Sequence, residues 1–167
     1  MVSIRFANTT DIPILLDIYN EARARLDCFQ EQDISLKQFQ NIIKGEKIHI
    51  AVVNDGTSTQ NIAGFISVWV PQRFVHHLYI QPAYQNMGIA TRLINTCAET
   101  YGLPLSLKSL VANTRACAFY ERNGWVIQGE GKSENGPYYS YVLPEIKCRE
   151  RPLWINSTMR MVHSRVK

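Results

Sequence analysis

The chain has few cysteines and no pattern among them. Cys28, Cys97, Cys117 and Cys148 form no Cys-x-x-Cys pair and keep no regular spacing. That argues against a disulfide framework and against a thiolate metal site, and fits reduced thiols in a cytoplasmic protein. No long apolar run is present either: the longest, 62–70, has nine residues and includes a serine, too short to span a bilayer. The start, Met1-Val2-Ser3-Ile4-Arg5, lacks an apolar signal core, so secretion is not expected. Internal repeats and low-complexity stretches are absent.

A surplus of one charge is also missing from most of the chain. Residues 1–143 carry twelve Lys or Arg and twelve Asp or Glu, and the net +4 arises entirely in 144–167. The expected organisation is therefore one domain over 1–143 and a basic C-terminal tail over 144–167. Apart from Trp154 the tail interleaves no aromatics, so a solvated segment is the plainer reading and nucleic acid is an unlikely partner. What the chain does have is 46% hydrophobic and 19% charged residues over 167 positions, enough for one globular core.

Periodicity places the elements. Residues 2–6 alternate as a short strand, and Thr10-Asp11-Ile12-Pro13 reads as a cap and acidic first turn of a helix over 11–26. Ser35 with Gln38 forms a capping-box pattern before a shorter helix. Strands are expected over 47–53, 62–70, 74–80 and 105–111, with helices over 87–101 and 114–122. A hairpin over 125–131 and 138–143 turns at Asn135-Gly136-Pro137. The 105–111 strand follows a helical crossover, so it should lie parallel to the one before. Periodicity alone supports a mixed α/β or α+β domain.

The most informative segment is 77–90. Strand residues His77-Leu78-Tyr79-Ile80 lead through a short loop to Gln85-Asn86-Met87-Gly88-Ile89-Ala90 and a helix. The first N–H groups of a helix have no partner inside it, and its dipole is positive there. A glycine at the turn lets backbone approach a ligand, so this is a candidate pyrophosphate site.

Gln85-x-x-Gly88-x-Ala90 resembles the acetyl-CoA signature Q/R-x-x-G-x-G/A of the GNAT superfamily of N-acetyltransferases. Downstream, Asn113-Thr114-Arg115-Ala116-Cys117-Ala118-Phe119-Tyr120-Glu121-Arg122-Asn123-Gly124-Trp125 is similar to that family's second signature, N-x-x-A-x-x-F/L-Y-x-x-x-G-F. The resemblance implies an α+β, three-layer fold: a mixed central sheet of about six to seven strands with about four flanking helices. It implies acetyl-CoA as co-substrate, no metal, and direct acetyl transfer to a primary amine, borne by a small molecule or by a peptide or protein. It also allows a homodimer.

Residue by residue, the resemblance assigns the cofactor to Leu78, Tyr79, Ile80, Gln85, Asn86, Met87, Gly88, Ile89, Ala90, Thr91, Asn113 and Tyr120. Tyr120 stands where the family places a phenol near the cofactor sulfur. Met87 replaces a residue that is commonly basic and so removes one phosphate partner. Phe74 occupies a position where many members carry a glutamate base, which leaves His76 and His77 as the nearby titratable groups. Adjacent strand residues face opposite ways unless a bulge intervenes, so at most one should face the cleft. Asp27, Glu31 and Asp33, with Glu21 earlier, are candidates for attracting a cationic acceptor; a solvated charged loop is the alternative. The missing strand glutamate keeps a second reading in play, an acyl-CoA-binding sensor of the same fold without turnover.

Overall fold

The computed structural model describes residues 1–25, 33–54 and 61–145. Asp27, Glu31 and the tail beyond residue 145 lie outside the described residues. The elements run β1 (Val2–Phe6), α1 (Ile12–Ala24), α2 (Leu36–Ile42), β2 (Lys47–Val53), β3 (Asn61–Trp69), β4 (Phe74–Ile80), α3 (Ile89–Tyr101), β5 (Leu105–Leu110), α4 (Thr114–Arg122), β6 (Val126–Ser133) and β7 (Gly136–Leu143). The seven strands form one sheet in the order β1-β2-β3-β4-β5-β7-β6. Every neighbouring pair is antiparallel except β4 and β5. This is the expected mixed sheet with four helices.

The two faces of the sheet bury separate clusters. Leu15, Ile18 and Tyr19 of α1 and Phe39 of α2 pack on Ile48, Ile50, Val52 and Phe65. On the other face, Ile89, Leu93, Ile94 and Cys97 of α3 cover Ala51, Ile66, Val68 and Val75, and the cluster continues to Leu105, Leu107 and Trp125. Alternating strand residues serve opposite faces, as the pleat requires. No helix among the described residues is long and apolar enough to cross a membrane.

Local chemistry explains the boundaries. The Ser35 capping box forms on both sides: the Gln38 N–H donates to Ser35 Oγ, and the Ser35 N–H donates to Gln38 Oε1 at 2.8 Å. Helix α3 begins at Ile89, two residues later than its pattern suggests, because Gly88 has φ 72° and cannot belong to the helix.

The start of α1 is corrected too: the helix begins at Ile12, and Asp11, expected in its first turn, stands at the cap position. Its side chain caps nothing in α1. Instead its carboxylate accepts two bonds from the Arg5 guanidinium, at 2.7 and 3.0 Å, and one from the Asn8 N–H at 2.7 Å. A bidentate guanidinium is a stronger partner than a helix amide. It holds the Asp11 carboxyl below the ordinary carboxylate range, and it ties β1 to the start of α1.

Candidate functional site

Strands β4 and β5 are joined over only two residue pairs, Phe74 with Ser106 and Val75 with Leu107. Beyond Val75 they part, so His76 to Ile80 keep a sheet edge with no β5 partner. A cavity of about 430 Å³ opens there. Leu78 and Ile80 form one wall, and Asn113, Ala116, Phe119 and Tyr120 of α4 form the opposite one. The loop at Gln81–Asn86 and the first turn of α3 close one end, while Ile18, Glu21, Ala22 and Arg25 bring α1 to the rim.

The α3 end of this cavity is built for an anion. Asn86 (φ 63°) and Gly88 (φ 72°) take left-handed backbone on either side of Met87. A Cβ at Gly88 would meet nothing within 4 Å, so the approach to the turn is open. No side chain caps α3, and its first residues, Ile89, Ala90 and Thr91, line the cavity. Unpaired amide donors there favour a phosphate. The Gln85 side chain fixes the loop by donating to the Ile80 carbonyl at 3.1 Å. Thr91 holds α3 to α4 by donating from its hydroxyl to Asn123 Oδ1 at 3.1 Å.

Of the residues assigned to the cofactor from sequence, Leu78, Ile80, Gln85, Asn86, Gly88, Ile89, Ala90, Thr91, Asn113 and Tyr120 line the cavity. Tyr79 and Met87 do not. The pleat turns Tyr79 to the other face, where its ring stands 5.5 Å from Tyr19 and 5.8 Å from Phe65. Met87 is an exposed residue at the tip of the turn. Sequence reading missed Arg25, Arg115 and Arg122, three guanidinium-bearing residues in the lining. For α4 a signal existed: Arg115, Phe119 and Arg122 repeat at i, i+4 and i+7 on one helix face.

Asn113 caps α4, its Oδ1 accepting from the Ala116 N–H at 3.2 Å. Gly124, at φ 81°, ends the helix in the left-handed conformation. Between these stops Tyr120 is wedged among Phe119, Trp125 and Tyr141, with ring centroids 5.4 to 5.6 Å away. Burial, with Tyr79 and Cys117 nearby, pushes its phenol above the ordinary range. Tyr120 is therefore a hydrogen-bond donor that stays protonated.

The two histidines are placed by a bulge. Ser67 of β3 faces His77, but the next residue, Val68, faces Val75, so His76 has no cross-strand partner. The bulge overrides the alternation expected for adjacent residues: both imidazoles lie on the side of α1 and α2. His77 meets the Tyr19 ring edge-on at 5.5 Å and stacks on Tyr79 at 6.1 Å. Burial above all, helped by His76 and Arg23, pushes it down to about 4. His76 pairs through Nδ1 with Glu46. Neither ring lines the cavity. Asp33 is exposed and outside the lining too, whereas Glu21 lines it and forms an ion pair with Arg25 at 2.8 Å.

A seven-stranded mixed sheet opened between its two parallel strands, with an uncapped helix start at the opening, is the arrangement that the two sequence signatures imply. The chain belongs to the Acetyltransferase (GNAT) family, whose sequence profile matches residues 13–125. A search of curated protein sequences finds no match.

Among solved structures, a GCN5-related N-acetyltransferase of Rhodopseudomonas palustris superposes with a TM-score of 0.69 at 18% identity, over 85% of this chain and 94% of that one. An N-acetyltransferase of Staphylococcus aureus Mu50 gives 0.64 at 16% identity, over 86% and 98%. The spermidine N-acetyltransferase of Vibrio cholerae, in complex with CoA and spermine, gives 0.66 at 18% identity, over 86% and 95%. These likenesses concern the fold.

Proposed function

We propose that this protein is an acetyl-CoA-dependent N-acetyltransferase that moves the acetyl group to a primary amine by direct transfer in a ternary complex. The observation that carries the proposal is the cavity beyond the Val75–Leu107 pair, with the bare N-terminus of α3 at its end. Acetyl-CoA, when bound, supplies a thioester whose acetyl carbon is open to an amine.

The chain's own groups suit that ligand. The β4 edge lacks a strand partner at Leu78 and Ile80 and offers backbone groups to an amide-bearing arm, as a sheet edge does to an added strand, with the Ile80 carbonyl already accepting from Gln85. The amides of 88–91 take the pyrophosphate, and Arg115 and Arg122 supply the positive charge that Met87 lacks. Asn113, beyond its capping role, stands beside the arm. Tyr120 donates a hydrogen bond to the sulfur as it departs.

The acceptor enters from the side of α1 and α2, where His76, the exposed one of the two β4 imidazoles, accepts the proton an alkylammonium must lose. Glu21 at the rim, though paired with Arg25, and the acidic composition of the sequence that follows (Asp27, Glu31 and Asp33) favour a cationic acceptor, a polyamine or lysine-like amine. A structural neighbour named for spermidine acetylation supports that chemical class without fixing the acceptor. The test is mass spectrometry of a mixed amine and peptide pool incubated with acetyl-CoA and the protein. An amine gaining an acetyl group above the enzyme-free blank is expected. Acetyl-CoA binding with no acetylated amine in any pool would overturn turnover and restore the sensor reading.

A further inference from the structure

Glu46 is a buried carboxylate with one partner. It sits in the turn between α2 and β2, its N–H donating to the Ile43 carbonyl at 3.1 Å. The turn is fixed from the other side by Trp69: a Cβ on Gly45 would come within 2.9 Å of that ring. The Glu46 side chain is only 4% exposed, and one of its oxygens, Oε1, meets His76 Nδ1. The other, Oε2, is buried with no hydrogen-bond partner among the described residues. Burying a charge with half its bonding capacity unused is costly, and packing alone gives no reason for it.

His76 is the residue directly after the last β4–β5 pair, set apart by the bulge, and its side chain is 43% exposed. One edge of the ring is thus anchored to a buried carboxylate while the ring stays open to solvent on the α1 and α2 side of the sheet, one residue past the last β4–β5 pair. His77, the alternative acceptor, is enclosed by Tyr19 and Tyr79. Burial makes it a weak base near neutral pH.

We propose that Glu46 is a positioning residue that holds His76 as the Nδ1–H tautomer, leaving Nε2 unprotonated to accept the proton of the incoming ammonium. This rests on the acetyl-transfer reading above. A carboxylate accepts only, so the hydrogen it engages must be on Nδ1, and a neutral imidazole then keeps its lone pair on Nε2. In the step the ammonium gives its proton to Nε2, and the amine nitrogen bonds to the acetyl carbon. The carbon–sulfur bond breaks with its electron pair on sulfur, toward which Tyr120 donates a hydrogen bond, and the second proton of the attacking nitrogen passes to that sulfur, giving the neutral amide and the free thiol. The imidazolium keeps its Nδ1 bond to Glu46, whose charge offsets the one that forms.

Two measurements test this separately from the activity itself. Nitrogen-15 NMR of the histidine ring in the whole protein reads the tautomer without any substrate. The wild type should show Nδ1–H at His76, and Glu46→Gln should lose that preference; an identical His76 signature in both would overturn the proposal. In steady-state kinetics, Glu46→Gln should lower kcat about 10–100-fold and His76→Ala about 100-fold or more, with KM for acetyl-CoA within about twofold. Glu46→Asp should recover part of the loss, and the double variant should be no slower than His76→Ala alone, as for residues acting as one unit. His76→Gln keeps an N–H donor for the buried Glu46 carboxylate and no imidazole, so it serves as the folded control if His76→Ala or Glu46→Gln is destabilised. Additive losses, or unchanged kcat in His76→Ala, would overturn the assignment while leaving acetyl transfer standing. A wild-type protein with the Nδ1–H tautomer but no turnover of any amine would instead sink the acetyl-transfer reading, and the role of Nε2 with it.

Discussion

Val75 and Leu107 are the last residues at which β4 and β5 lie paired, and the cavity opens directly beyond them. The two strands are the only parallel neighbours among the described residues, joined through α3, so the split and the helix start arise from one β-loop-α-β unit. Its consequences can be measured residue by residue.

Gly88 holds φ 72° with open space around its α-carbon. Gly88→Ala should cost about 1–2 kcal/mol of stability through left-handed backbone strain. Its effect on the ligand should be larger in kind: the added methyl stands where a phosphate approaches, and the Kd for acetyl-CoA should rise more than about tenfold. Calorimetric titration beside thermal unfolding separates the two. A variant with lowered Tm and unchanged Kd would place the phosphate elsewhere.

Arg115 and Arg122 lie on the cavity side of α4. Each Arg→Ala change should raise the Kd for acetyl-CoA about 3–10-fold at low salt, less at high salt, because exposed charge pairs are screened. A pantetheine thioester without phosphates should bind both variants like the wild type. Equal losses for both ligands would contradict a phosphate role.

Tyr120→Phe keeps the ring packed against Trp125 and Tyr141 and removes only the hydroxyl. Expected is a fall of about 10–100-fold in kcat with KM for acetyl-CoA little changed. Loss of affinity at constant kcat would make Tyr120 a binding residue alone.

His77 is pushed from 6.5 down to about 4 by burial. Between those values the unfolded chain binds the proton and the folded one does not. Stability therefore rises with pH across that window and falls on acidification through it, by on the order of 3 kcal/mol in all. Urea unfolding of the wild type from pH 4 to 7 should show this slope, and His77→Gln should flatten it. Equal slopes would mean His77 is solvated.

Much of the domain was legible because local rules and tertiary packing agree. Strand β4, helix α4, the Ser35–Gln38 box and the Gly124 terminator all follow from spacing and turn chemistry within a dozen residues. What stayed hidden depends on distant partners. Asp11 has the form of an acidic first-turn residue, and only the fold brings Arg5 to it. The bulge at His76 is a one-residue slip against Ser67 and Val68, which no pattern along β4 itself encodes. Glu46 lies thirty residues before His76 and shares no motif with it. The anion-binding end of the site could thus be read from a signature, whereas the proton-accepting end could not.

Two-substrate initial-rate kinetics, following thiol release at varied acetyl-CoA and amine, tests direct transfer in the split most directly. The account predicts intersecting reciprocal plots, thiol release equal to acetylated amine, and no acetyl group retained on the protein. Parallel plots with a covalently acetylated chain would contradict it, as would acetyl-CoA that binds yet releases no thiol to any amine.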